Sequence, residues 1–115
     1  MIQRLLLVLL TTSLLVAVPL GLAADEAFWI DVRTAQEYDD GHVSQAVNIP
    51  YEEIGDRIGT VTTDKDAPIY LYCRSGHRAG IAKETLDGLG YTQVVNVGGL
   101  DQALEKAGQE TVGQD

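Results

Sequence analysis

Apolar and polar positions change their period several times along this chain, and each change marks a candidate element. Ile69-Tyr70-Leu71-Tyr72 is a continuous run of β-formers, the pattern of a buried strand, and the turn-like Thr63-Asp64-Lys65-Asp66-Ala67-Pro68 introduces it. Past a short loop the period becomes helical: Ala79, Ala82, Leu86 and Leu89 share one face of a helix predicted over 78–89, and Gly90 is a natural stop. The same patterning predicts strands over 28–32, 46–49 and 94–97, the second ended by Pro50. It predicts short helices over 34–40, capped by Thr34, and over 51–58, with Ile54 and Ile58 inward and Glu52, Glu53 and Asp56 on the wet face. Gly98-Gly99 then turns into a last helix over 100–107, and 108–115 reads as a frayed tail. Such alternation implies an α/β fold, a small domain whose mostly parallel sheet of four to five strands is covered by helices on both faces.

The amino-terminal stretch has a different character. Arg4 precedes an apolar segment over 5–18 broken only by Thr11, Thr12 and Ser13, and Gly21-Leu22-Ala23-Ala24 follows as a small-residue cleavage site. The expectation is a cleavable Sec-type signal peptide over 1–24 and a periplasmic location in a Gram-negative cell. The apolar run falls short of the ~20 residues of a comfortable span, so no stable membrane insertion is expected after cleavage. One domain over 25–115 remains, long enough for a modest core.

Charge excludes one class of partner. The chain carries 8 basic and 17 acidic residues, a formal net charge of −9, so no nucleic acid is expected to bind. The acidity does not preclude an anion site, because exposed charges are screened within about 8 Å at physiological salt and neighbouring arginines outweigh a distant surface.

The single cysteine carries the chemistry. Cys73 is the only one in the chain, which leaves no intramolecular disulfide and no C-x-x-C pair, and a lone thiol in an oxidising compartment is a liability unless it is used. His42 and His77 are the only histidines and lack zinc-ligand spacing with it, so neither metal nor cofactor is expected. In Cys73-Arg74-Ser75-Gly76-His77-Arg78 the thiol sits where a strand runs into a helix, the place where open α/β sheets bind ligands. There the helix start presents unpaired N–H groups and partial positive charge, and Arg74 and Arg78 add two cations. All of these favour the thiolate, the form that attacks, and catalytic cysteines in such settings have pKa values of about 3.5–7.5. The bland alternative is a small buried hydrophobe closing a strand.

Several segments in order, Trp29-Ile30-Asp31-Val32-Arg33, Glu37-Tyr38, Gly41-His42-Val43, Ala46-Val47-Asn48-Ile49-Pro50, the cysteine loop, and Gly90-Tyr91 through Val94 to Gly98-Gly99-Leu100, resemble the rhodanese domain family in order and spacing. The resemblance implies a thiosulfate sulfurtransferase in which Cys73 accepts sulfur and Arg74, Ser75, Gly76, His77 and Arg78 form the substrate loop. Thiosulfate would be the donor, and a small thiol, cyanide or a thiol protein the acceptor. Both arginines would hold the sulfonate end; His77 is open between lending positive charge and facing solvent. Four residues separate Cys73 from Arg78, whereas related cysteine phosphatases use five, which implies a sulfur-sized cradle. The basic residue after the cysteine resembles thiosulfate-using loops more than mercaptopyruvate-using ones.

Asp31, Arg33 and His42 read as supporting scaffold, with Asp31 and Arg33 pairing to neighbours such as Glu37 or His42, and Trp29 reads as core packing. Two departures from the family pattern stand out: no tryptophan follows Gly98-Gly99-Leu100-Asp101-Gln102-Ala103, so a looser final helix is expected, and the usual leading strand and helix are missing. The alternative from another class is a sulfur carrier or sensing module that hands its persulfide to one protein partner without turnover.

Overall fold

Ile30, Leu71 and Cys73 lie on one side of a parallel sheet and Trp29, Tyr70 and Tyr72 on the other, and this alternation builds two cores. The computed structural model describes residues 27–109; the expected signal segment over 1–24 and residues 110–115 lie outside that range. The strands are β1 (Phe28–Asp31), β2 (Val47–Asn48), β3 (Ile69–Cys73) and β4 (Val94–Gly99). They form a four-stranded sheet in the order β2-β1-β3-β4, with every pair parallel. All five residues of β3 are buried, as its unbroken apolar run requires of a central strand covered on both faces.

The helices are α1 (Ala35–Asp39), α2 (Ile54–Arg57), α3 (His77–Gly88) and α4 (Leu100–Ala107). Ile54, Ile58, Ala79, Ala82 and Leu86 seal the Ile30–Leu71 face, while Ala103, Leu104 and the partly buried Tyr38 seal the face of Trp29 and Tyr72. Trp29, 2% exposed, packs edge-on to Tyr70 with ring centroids 4.9 Å apart, in the core as expected. Among the described residues no helix is long and apolar enough to cross a membrane.

Four details differ from the sequence reading. The helix expected over 51–58 is one α turn, Ile54–Arg57, flanked by 3₁₀ turns Tyr51–Glu53 and Ile58–Thr60; Gly55 and Gly59 hold helix propensity too low for more. Leu89, expected on the buried face, is exposed: α3 ends at Gly88, and Tyr91 fills the core position instead. β4 continues two residues beyond Val97, because Tyr72 and Cys73 pair with Gly98 and Gly99 after a bulge that leaves Val97 unpaired. In the tail expected to fray, Gly108 ends α4 in the left-handed conformation, and Gln109 donates its N–H to Leu104 and accepts from Ser44 N at 2.9 Å.

α4 packs firmly even without the tryptophan: Ala103 is wholly buried, Leu104 nearly so, and Gln102 Oε1 accepts from Gly99 N at 2.9 Å to close the first turn. The bulge and the helix entry together place the end of β4 directly beneath the loop that follows Cys73.

Candidate active site

Cys73 is the last residue of β3, and the chain must reverse within three residues to begin α3 at His77. Gly76 makes that reversal possible with φ +101°, a left-handed value that a side chain would resist. It is also the N-cap of α3 and brings no capping side chain, so the first amides of the helix have no local acceptor. They turn to the sulfur instead. Gly76 N donates to Cys73 Sγ at 2.9 Å. Burial alone pushes the Cys73 thiol up, yet the amides of Ala79, Ser75, Gly76 and Arg78 together bring its pKa below the ordinary value. The cysteine is 1% exposed, so the sulfur is shielded from bulk solvent.

The two loop arginines, both expected to hold an anion, stand in different settings. Arg78 is half-buried and faces Glu37, donating from Nη1 to Oε1 at 2.8 Å and from Nη2 to Oε2 at 3.1 Å. The Arg74 side chain is 80% exposed, and its nearest carboxylate oxygen, on Glu37, is 4.0 Å away. Arg74 is therefore the more exposed and more loosely held of the two, while Arg78 ties the start of α3 to α1. Ser75 and His77 are exposed on the rim of the loop.

Glu37, expected only as a neighbour for Asp31 or Arg33 to pair with, instead binds Thr34 and Arg78. Thr34-x-x-Glu37 forms a complete capping box: Glu37 N donates to Thr34 Oγ1 at 3.1 Å, and Glu37 Oε1 accepts from Thr34 N at 3.0 Å. The same carboxylate receives Arg78. That ion pair, against the opposing effect of burial and with help from the Thr34 bonds, holds the Glu37 carboxyl down at about 2. The spacing Thr34-x-x-Glu37 signals the cap in sequence; nothing local signals Arg78, which is 41 residues away.

Asp31 and Arg33 pair with each other, not with Glu37 or His42. Asp31 is wholly buried and Arg33 is 6% exposed. Arg33 gives its main-chain N–H and Nε to Asp31 Oδ1, both at 2.9 Å, and Nη2 to Oδ2 at 2.6 Å and to Gly41 O at 2.7 Å. The Tyr72 hydroxyl accepts from Val43 N at 3.0 Å, and the Arg33 guanidinium lies 5.6 Å from the Tyr72 ring centroid. This network fixes the segment between β1 and α1 that carries Glu37. His42 stacks on Tyr38 and donates Nδ1–H to its carbonyl at 2.7 Å, which places it in the scaffold rather than at the sulfur.

Beside the loop opens a cleft of about 420 Å³, walled by Arg33, Glu37 and Asp40 on one side and by Arg74, Asp101 and Gln102 on the other. The arrangement as a whole offers a buried, amide-stabilised thiolate and, on the same loop, the exposed guanidinium of Arg74 bordering an open cleft. That combination suits nucleophilic attack on a small anion.

Comparison with known proteins agrees with this chemistry. The profile of the rhodanese-like domain matches residues 20–106. Thiosulfate sulfurtransferase PspE of Escherichia coli K12 is 47% identical over 79 residues, an alignment covering 68% of this chain and 76% of that protein. A solved structure described as rhodanese with anions from E. coli superposes with a TM-score of 0.64 at 45% identity, covering 66% of this chain and 89% of the other. The human single-domain sulfurtransferase TSTD1 gives a TM-score of 0.61 at 26% identity over 74% of this chain and 87% of its own.

Proposed function

The chain belongs to the rhodanese-like domain family of sulfurtransferases, and from that premise we propose that it is a thiosulfate sulfurtransferase working through a persulfide on Cys73. The observation that carries the proposal is the buried Cys73 sulfur between β3 and α3, which accepts Gly76 N–H at 2.9 Å and whose pKa the surrounding main-chain amides bring below its ordinary value. Fixed N–H dipoles in a buried pocket stabilise an anionic sulfur without reorganising. The same donors serve the thiolate before reaction and the persulfide anion after it.

In the first half-reaction the Cys73 thiolate attacks the outer sulfur of thiosulfate. A bond forms between Sγ and that sulfur, the bond to the sulfonate sulfur breaks, and its electron pair departs with sulfite. Arg74 meets the sulfonate and stabilises the charge that leaves. In the second, cyanide or a thiolate attacks the terminal sulfur, the sulfur–sulfur bond breaks, and its electron pair returns to Sγ. The cleft beside the loop gives room for an acceptor larger than cyanide. The amino-terminal segment is proposed to export the enzyme to the periplasm, which fractionation of expressing cells tests directly.

Steady-state kinetics test the transfer cycle. Varying thiosulfate at several fixed acceptor concentrations should give parallel double-reciprocal lines, with sulfite released before acceptor is added and no sulfite from Cys73→Ser. One sulfite per enzyme with no turnover on any small acceptor would instead support the carrier reading, and absence of sulfite altogether would end the proposal.

A further inference from the structure

The amide ring is aimed by something outside the loop. Gly76 O accepts Gly80 N–H at 2.9 Å, the bond that opens α3, and in addition accepts Asn96 Nδ2–H at 2.9 Å. Asn96 lies on the edge strand β4, just before the unpaired Val97 of the bulge, and its Oδ1 accepts from Gly98 N at 3.0 Å. Its amide orientation is fixed by these partners, since an N–H must meet oxygen and a carbonyl must meet N–H. The contact is close: a Cβ on Gly76 would stand 3.5 Å from Gly98 Cα and 3.7 Å from Asn96 Oδ1. Both ends of the strap are glycines in left-handed conformations, φ +101° at Gly76 and +108° at Gly98, so neither end is held by ordinary backbone preference.

We propose that Asn96 is a positioning residue for sulfur transfer: its side chain ties the Gly76 carbonyl to the β4 bulge and so sets the direction in which the loop and first-turn amides meet Cys73 Sγ. The alternative is an exposed polar side chain that merely decorates an edge strand. Two features argue against it. Asn96 uses donor and acceptor at once, a combination that aspartate or an aliphatic residue at this site cannot reproduce. It also pins the carbonyl at the mouth of the helix, and the amides of Arg78 and Ala79, two of the four that stabilise the sulfur, follow within three residues. The strap makes no contact with donor or acceptor; it acts only through the main chain of the loop.

This inference deepens the proposed sulfurtransferase reading, and its test needs no sulfur donor. The probe is iodoacetamide, whose rate of alkylating Cys73 across pH reports the thiolate directly. Asn96→Ala should alkylate about three- to tenfold more slowly near neutral pH, the change expected from one lost hydrogen bond, with the midpoint of the pH–rate curve moved upward. Arg74, His77, Arg78 and Glu37, the charged or titratable groups around the loop, remain in the variant. With thiosulfate, kcat should fall while KM changes little, because no group that touches substrate is lost. Thermal unfolding run in parallel separates a simple packing role, which would lower the midpoint of unfolding and leave the alkylation curve in place. A pH–rate curve coincident with that of the wild type would overturn the proposal, as would an unshifted curve for Asn96→Leu should the alanine variant not fold. Neither result bears on whether Cys73 transfers sulfur, which sulfite release decides separately.

Discussion

Gly99→Ala should damage the cysteine loop through a single added methyl group. Gly99 is extended, with φ −102° and ψ −177°, so alanine meets no backbone strain there. The obstacle is contact. A Cβ at this position would overlap the Arg74 carbonyl oxygen outright and stand 3.1 Å from its carbon and 3.0 Å from Gln102 Oε1. Gln102 can swing away; the carbonyl cannot, and restoring ordinary contact requires it to move by about 1 Å. Overpacking of that kind costs about 1–3 kcal/mol, which for a domain of this size lowers the unfolding midpoint by roughly 5–20 °C. The functional effect follows from the peptide plane. The Arg74 carbonyl and the Ser75 N–H belong to one rigid unit, and Ser75 N–H is among the donors that lower the Cys73 pKa. Displacing the oxygen turns that donor off the sulfur. Losing one hydrogen bond to a charged group is worth about 1.5–3 kcal/mol, so kcat/KM for thiosulfate should fall by about ten- to a hundredfold, with the alkylation curve of Cys73 moved to higher pH. Gly59→Ala is the control, since nothing lies within 4 Å of its Cβ position. A folded Gly99→Ala protein with wild-type kcat/KM and an unmoved alkylation curve would refute the reasoning.

Other substitutions separate the roles of the charges. Asp31→Ala strands the buried Arg33 guanidinium and should cost about 3–5 kcal/mol, seen as a large drop in urea midpoint, whereas a loss under about 1 kcal/mol would show that the pair is solvated. Arg74→Gln should raise KM for thiosulfate with little change in stability, because its side chain is exposed and its contact with Glu37 is long; an unchanged KM would remove it from substrate binding. Glu37 contributes stability that is fully present above its ordinary pKa of 4.5 and is lost as pH falls through the window down to about 2. Glu37→Gln should therefore be less stable than wild type near neutral pH, with the gap in urea midpoint closing across that window; a constant gap would contradict the ion pair with Arg78.

Much of the fold was legible because its signals are local. The unbroken run at Ile69–Tyr72 announces a two-faced strand, and Thr34 announces a helix start, which the structure completes as a full capping box with Glu37. The last helix falls at Leu100–Ala107 as its pattern predicts. What was not legible depends on tertiary partners. Gly98 and Gly99 belong to β4 only because Tyr72 and Cys73 pair with them, a fact no glycine reveals by propensity. The cysteine loop stood out through its glycine and basic residues, but the contrast in setting between Arg74 and Arg78 did not. It is imposed by Glu37, which reaches Arg78 from another element. Asn96 was invisible for the same reason: an asparagine in a strand carries no signal until the loop folds against it.

Intact mass spectrometry of the folded protein tests the central claim most directly. After brief exposure to thiosulfate and removal of excess reagent, the wild type should gain the mass of one sulfur atom and lose it on addition of cyanide, and Cys73→Ser should gain nothing. A folded wild type that never carries the extra sulfur, or a Cys73→Ser protein that does, would contradict the account.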